Sequence, residues 1–399
     1  MKYGIVKSIS ALYHRGIRKL KKEGFTAISK HLHRLVISFF SGFHLKKPDD
    51  SSCNILFVIG CFEGESKRYR VYNIIEAISL YGINGQAVYQ ESLPYLSPTG
   101  YSAIVFFRCK MNSFTRGFVT KCKRRSVPTI YDVDDLVFDE AIVDKNRAEE
   151  GMTAKQYQVY LNEVKNYVSM LKVCDYATSP TTFLCDYMHN LSEKPVYRIP
   201  NGLNNAQIDI AAEISNKQSS DLRIGFLSGS PTHNRDFSQV EDALVSIMTK
   251  HENVSLVVVG YLSIPESLAP FINRIIIQPF LDYQRFLRFC NQLYLVIVPL
   301  EYDTAFCNAK SELKYFEQAL IGLPVIASPT DTYRECITHG ENGLLAATKE
   351  EWEHALDLLI RDRAMRDTIA KNAQSQIRGA YYPDIIGKIA SDFYMKVIS

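Results

Sequence analysis

The sequence predicts an α/β protein: two doubly wound domains facing across a cleft, preceded by a helical, basic extension. Three observations carry that reading. Short apolar runs of strand length alternate with helical stretches, in two series along the 399 residues, as in parallel sheets covered on both faces. A turn signal, Ile199-Pro200-Asn201-Gly202-Leu203, and a polar stretch, Asn216 to Asp221, separate the two series. The composition, 46% apolar, 12% aromatic and 22% charged, is that of a globular chain able to bury two sizeable cores. The implied divisions are 1–50 for the extension and linker, 51–215 for the first domain and 216–382 for the second. A last helix over about 383–399 is expected to pack back on the first domain.

The net charge of +3 is unevenly spread: residues 1–50 hold eleven Lys/Arg against three acids, which leaves the remainder near −5. Residues 1–45 read as two amphipathic helices broken near Gly24, with apolar stripes through Ile9, Leu12 and Ile17 and through Leu32, Leu35 and Phe39. A stripe bordered by Lys, Arg and His suits a helix lying in an anionic membrane surface. It equally suits packing on the chain's own domain or on a partner. No nucleic-acid partner is expected.

The nine cysteines are odd in number and scattered without a CxxC pair, which points to free thiols in a reducing cytoplasm rather than a disulfide framework or zinc site. No apolar run approaches the roughly eighteen residues that span a bilayer, and no signal-peptide pattern opens the chain. The expectation is a cytoplasmic protein, with a peripheral membrane contact left open.

In the first domain, Asn54 to Ile59 reads as a strand, Gly60 to Ser66 as a glycine-containing loop and Lys67 to about Tyr81 as a helix. Such a loop, with Gly60 at its head, can hold an anionic or sugar ligand at the carboxyl end of a strand. Arg68 and Arg70 flank Tyr69 within reach of a phosphate, although surface solvation explains them as well. Further strands are read at Gln86–Tyr89, Ala103–Phe107, Thr129–Tyr131, Tyr176–Thr178 and Val196–Ile199. The run Asp132-Val133-Asp134-Asp135 ends one of them. A carboxylate pair there could hold a divalent metal on a diphosphate, but solvation, a helix cap or contacts to sugar hydroxyls are the preferred readings, and no metal is expected.

The second domain opens with strand Arg223–Leu227, loop Ser228 to Arg235, helix Asp236–Lys250 and strand Ser255–Val259. Ser230, His233 and Arg235 at that helix start form an anion-binding candidate. Arg235 is the stronger choice, since a lone histidine is more often a structural hydrogen-bond partner. Strands follow at Ile275–Ile277 and Leu293–Val298.

Asn308 to Ser328 then reads as a helix from Lys310 to Ile321 capped by Asn308 or Ser311, a left-handed stop at Gly322, and a strand Leu323–Ala327. At about 100° per residue Lys310, Lys314 and Glu317 share one face beside Leu313, Phe316 and Leu320. A solvated charged face is the ordinary explanation. The alternative is a nucleotide cradle: free N–H groups and Lys310 suit a diphosphate, and Glu317 lies roughly 10 Å further along the axis, about one ribose away.

These spaced motifs together resemble the family 4 glycosyltransferases, retaining enzymes whose GT-B fold has two Rossmann-like domains, over nearly everything from Asn54 to the C-terminus. Ile199-Pro200-Asn201-Gly202 resembles their interdomain Pro-Asn-Gly signature, Ser228 to Phe237 their donor phosphate loop, and Glu317 to Ser328 their Glu-Ala-hydrophobic-Gly-x-Pro-Val-x-Ala-Ser segment. Asn342-Gly343-Leu344-Leu345 also matches. The resemblance implies transfer of a sugar with retention from a nucleotide-diphosphate sugar to a glycan or lipid-linked acceptor, in cell-surface polysaccharide biosynthesis. The nucleotide sugar would be the donor substrate, with no cofactor required.

By the same resemblance Arg235 and Lys310 would bind the diphosphate, Glu317 the ribose, and Ser230, His233, Asn308, Ser311 and Gly60 would surround the donor. Asp132 stands where many members have a histidine and would face the transferred sugar or acceptor. Two departures stand out: Ala309 lies eight residues before Glu317, where the family often carries a glutamate for donor-sugar hydroxyls, and Phe306 to Ser311 looks like a subgroup with Asn and Lys-Ser there. A nucleotide-sugar 2-epimerase and a non-catalytic transferase-like scaffold are the alternatives; the linker and Asn-Gly motifs favour a transferase.

Overall fold

The computed structural model describes residues 41–42, 45–46, 48, 52–62, 64–143, 152–214, 221–229 and 233–399. The expected amphipathic extension over residues 1–45, with its membrane contact, lies almost wholly outside the described residues, as does Ser230. Among the described residues no helix is long and apolar enough to cross a membrane.

Two six-stranded sheets form the framework. The first contains β1 (Cys53–Ile59), β2 (Ile83–Tyr89), β3 (Ala103–Phe107), β4 (Thr129–Asp132), β5 (Tyr176–Ser179) and β6 (Val196–Arg198) in the order β2-β1-β3-β4-β5-β6. The second contains β7 (Leu222–Ser228), β8 (Val254–Gly260), β9 (Ile275–Gln278), β10 (Leu295–Val298), β11 (Val325–Ala327) and β12 (Leu344–Leu345) in the order β12-β11-β10-β7-β8-β9. Every ladder is parallel. The near-continuous apolar central strands follow from this, because helices cover both of their faces, while edge strands such as β9 leave Ile276 and Ile277 exposed. Leu56, Val58, Ile104 and Phe106 pack on one face of the first sheet, and Ile55, Phe57, Val105 and Phe107 on the other. Phe226, Val258 and Ile297 divide in the same way from Leu227, Val257 and Val296 in the second. This is the two-domain GT-B arrangement.

Three helices depart from the sequence reading. The stretch after β1 begins with a five-residue π-helical turn, Arg68–Tyr72, before the α-helix Asn73–Ser79. Asn234–Ser238 and Glu241–Lys250 are separate helices. The helix expected from Lys310 runs only over Leu313–Leu320, preceded by Ala305–Asn308. Thr304 caps that short helix, and Glu312, at φ −80° and ψ 26°, breaks continuity. Lys310 therefore sits in the turn between two helices. Gly322, at φ 73°, provides the left-handed stop.

The chain passes between the domains at residues 199–204 and again near Tyr381. Arg70 Nη1 donates to the Ile199 carbonyl at 2.6 Å and to Asn201 Oδ1 at 3.1 Å. Asn73 donates to the Gly202 carbonyl at 2.8 Å, and the Leu203 N–H donates to the Tyr381 carbonyl at 2.8 Å. Gly202 has no room for a side chain, since a Cβ would lie 2.5 Å from Ile386. The last helix, Pro383–Ile398, packs on Asn73–Ser79. The cores also interdigitate: Tyr69 joins an apolar cluster of the second domain, and Ala309 joins one of the first.

Candidate active site in the interdomain cleft

A cavity of about 360 Å³ opens where the carboxyl ends of the two sheets face each other. Its walls come from the two places where strand order reverses. Glu65 and Ser66 follow β1 and Arg108 follows β3, while Ser228 ends β7 and Leu300 follows β10. Doubly wound sheets bind ligands at such switch points, and the volume is in the range of small-molecule sites.

The second domain supplies the cations. Lys310 projects from its turn with Nζ 4.2 Å from the Phe306 ring centre, and Lys314 lies one turn into the cavity wall, 6.0 Å from that of Phe226. Both line the cavity, and among the described residues neither has a carboxylate within ion-pair distance. Burial pushes the Lys314 ammonium down from 10.5 to about 8, with Asp236 opposing and Lys310 adding to the shift. Among the described residues the two ammonium groups form no ion pair, and Asp236 is the carboxylate whose charge acts on Lys314.

His233 also lines the cavity, with Nδ1 2.7 Å from Asp236 Oδ2. Burial lowers its pKa and Lys314 lowers it further, so the imidazole is neutral near pH 7. Burial alone would raise Asp236, but the His233 hydrogen bond and the nearby lysines outweigh it and hold the carboxyl below its usual range. Ser311 reaches the cavity and its Oγ accepts from Asn201 Nδ2 at 2.9 Å, tying the domain crossing to the lysine turn.

Glu317 lines the same cavity while 7% exposed. Its Oε1 accepts from the Tyr69 hydroxyl and, at 2.9 Å, from Gln207 Nε2; Arg68 Nη2 lies 3.7 Å away. Burial raises its pKa, against the lowering effect of Arg68, Tyr69 and Gln207. The first domain contributes Arg108, at φ 45°, a left-handed conformation that costs a non-glycine residue on the order of 1 kcal/mol. Its guanidinium bonds Asp134 at 2.5 Å and approaches Asp135 at 3.6 Å. All three line the cavity.

Lys310, Glu317, His233 and Ser311 are thus brought together, whereas four other candidates are placed elsewhere. Asp132 is 3% exposed and engaged by Arg70, so Asp134 and Asp135 take the cavity wall in its stead. Arg235, about half-exposed, is paired with Glu301 at 2.7 Å outside the cavity lining. Asn308 is spent on structure, donating to the Tyr302 and Thr304 carbonyls of its own loop and accepting from the Asp331 N–H of a later helix. Gly60 serves chain packing: a Cβ would lie 2.2 Å from the Arg108 carbonyl oxygen. Sequence reasoning missed Arg108 and Tyr283. The signal for Arg108 was its place immediately after the apolar run Ala103–Phe107; for Tyr283 there was none.

Residues 212–376 match the family model described as glycosyl transferases group 1. No curated protein matches the sequence. Among solved structures the chain is similar to a sucrose-phosphate synthase from Thermosynechococcus elongatus, with 15% identity, TM-score 0.60, and coverage of 86% of this chain and 98% of the other. It is also similar to Anabaena Alr3699/HepE in complex with UDP and glucose, with 14% identity, TM-score 0.56, and coverage of 86% and 99%. TarM of S. aureus, at 13% identity and TM-score 0.51, matches over 77% of this chain and 58% of its own, in a complex that includes UDP.

Proposed function

We propose that this chain is a glycosyltransferase that moves a sugar, with retention, from a nucleoside-diphosphate sugar to a glycan or lipid-linked acceptor in cell-surface polysaccharide biosynthesis. The observation that carries the reading is that Lys310 and Lys314, which form no ion pair among the described residues, share one interdomain cavity with Glu317. The glycosyl transferases group 1 match over residues 212–376 and the UDP complexes of similar folds support it.

In this reading the two lysines neutralise charge that develops on the departing diphosphate, and they do so from a partly dehydrated wall where such charge is worth most. Glu317 receives ribose hydroxyls. Ser311 and His233 line the diphosphate region, and Arg235 stands at the rim, available only if it leaves Glu301. The acceptor enters from the first domain, where Asp134 and Asp135, held by Arg108, face the cavity. The leaving phosphate takes the acceptor hydroxyl's proton, so no side-chain nucleophile is needed. The division into donor domain 216–382 and acceptor domain 51–215 belongs to the same proposal, as does attachment of residues 1–45 to an anionic membrane.

The test is release of nucleoside diphosphate by purified protein offered a panel of sugar nucleotides with membrane extract as acceptor. Glu317→Ala and Lys310→Ala should each lower the rate at least tenfold, and the anomeric configuration of the product reports retention. Formation of a free isomeric sugar nucleotide without acceptor would assign an epimerase. Absence of both turnover and nucleotide binding would remove the enzymatic reading altogether.

A further inference from the structure

We propose that Tyr69, carried by the first domain, is a positioning residue for the Glu317 carboxylate of the second, and that Gln207 shares this role. The inference rests on the proposed nucleotide site and adds to it the groups that decide which carboxylate oxygen meets the ribose.

The hydrogen bonds have a direction. Arg68 Nη2 donates to the Tyr69 hydroxyl oxygen at 2.8 Å, and an arginine can only donate. The single tyrosine proton is therefore committed to Glu317 Oε1. Gln207 donates to that same oxygen. Oε2 has no partner among the described residues, although Glu317 lines the cavity. One oxygen is anchored by protein and the other is presented to a ligand, which suits a vicinal diol.

The tyrosine cannot drift. Its ring lies edge-on to Phe316 at 6.4 Å between centres, and the Arg68 guanidinium sits 4.3 Å from its centre and 4.4 Å from that of Tyr283. Arg68 thus bridges the domains between two aromatic rings. Arg68 and Tyr69 reach the cleft from the same π-helical turn whose next residue, Arg70, points into the first domain's interior. Because Tyr69 comes from one domain and Glu317 from the other, the ribose subsite is complete only when the domains meet as they do here.

The discriminating measurement is calorimetric binding of UDP, ADP and GDP, and of their 2′,3′-dideoxy forms, to the full chain and its variants. For the preferred base, the wild type should favour the ribonucleotide by about tenfold or more, the worth of a hydrogen bond to a charged group. Tyr69→Phe keeps the ring and removes the hydroxyl. It should cut that preference to within about threefold while leaving the dideoxynucleotide affinity unchanged. Gln207→Leu should reduce the preference in the same direction, and it stands as the second variant if Tyr69→Phe folds poorly. If both variants weaken ribo- and dideoxynucleotide equally, or neither changes the preference, the positioning role is overturned while the nucleotide site stands. If the wild type binds no nucleoside diphosphate, both are overturned.

Discussion

Arg70 and Asp132 form a bidentate ion pair out of reach of solvent, with Nε 3.0 Å from Oδ1 and Nη2 2.6 Å from Oδ2. Thr178 Oγ1 donates to Oδ2 at 2.6 Å, and the remaining Arg70 nitrogen holds the domain crossing at Ile199 and Asn201. The pair joins β4, the π-helical turn and the interdomain chain at one point. Burial would pull the guanidinium pKa down, but Asp132 outweighs it and the arginine stays charged. Asp132→Ala strands that charge, so it should cost about 3–5 kcal/mol of unfolding free energy, and Asp132→Asn less. Denaturant melts check this. Loss of turnover at undiminished stability would instead put Asp132 at the chemistry.

Lys314 carries a stability cost in the free protein, because burial disfavours its charged form. With its pKa near 8 in the folded chain against 10.5 in the unfolded one, the unfolded state holds more proton between those values, so stability rises with pH across that window. The cost is full below pH 8. Lys314→Met should therefore stabilise the free protein at pH 7 by on the order of 1–2 kcal/mol, after discounting for the lysine's remaining solvent contact. The gain should fade as pH rises from 8 to 10.5. In the proposed site a bound diphosphate would favour the ammonium, so nucleotide affinity should weaken between pH 7 and pH 9 in the wild type and lose that dependence in Lys314→Met. Calorimetry in buffers of different ionisation heat would register the proton uptake.

Much of the fold was legible because the central strands are short apolar runs closed by turn residues, as parallel strands buried on both faces require, whereas the edge strands β2 and β12 lack that pattern and were read short or not at all. Glu317 sits on the helix read for it, whereas Lys310 reaches the cavity from the turn before that helix and not through shared helical spacing. Asp132 was misplaced for a physical reason: three aspartates after one strand look alike in sequence, and only Arg70, reaching across from another element, decides which is buried. Arg235 misled for the opposite reason, since a cation after a Ser/Gly loop says nothing of Glu301 across the rim. The Tyr69–Glu317 contact spans 248 residues, and no local pattern announces it.

Arg235 tests the difference between rim and cavity. Its pair with Glu301 is 2.7 Å long but the arginine side chain is 45% exposed, and exposed pairs contribute about 0–1 kcal/mol. Arg235→Ala should leave the melting temperature within about 2 °C and change donor KM only a few fold, against at least tenfold for Lys310→Ala. A loss matching that of Lys310→Ala would mean that Arg235 swings off Glu301 onto the donor.

Ala309 stands where the resembled family often carries a glutamate for donor-sugar hydroxyls. The residue is fully buried in an apolar cluster of the first domain, its carbonyl 3.5 Å from Thr181 Oγ1, with Phe306 packed against the same cluster. A glutamate there would carry its carboxylate toward apolar side chains of the facing domain, where an unpaired charge costs several kcal/mol. The substitution has two ways to relieve that cost: unfold the contact, or part the domains. Ala309→Glu should thus lower the melting temperature and enlarge the radius of gyration in solution scattering. Because Tyr69 would then leave Glu317, while Gln207 stays with the second domain on which its helix packs, nucleotide affinity should fall about tenfold as well. Unchanged compactness with tighter binding of a sugar nucleotide would show instead that a sugar-hydroxyl subsite is open beside residue 309, and that the alanine merely leaves it empty.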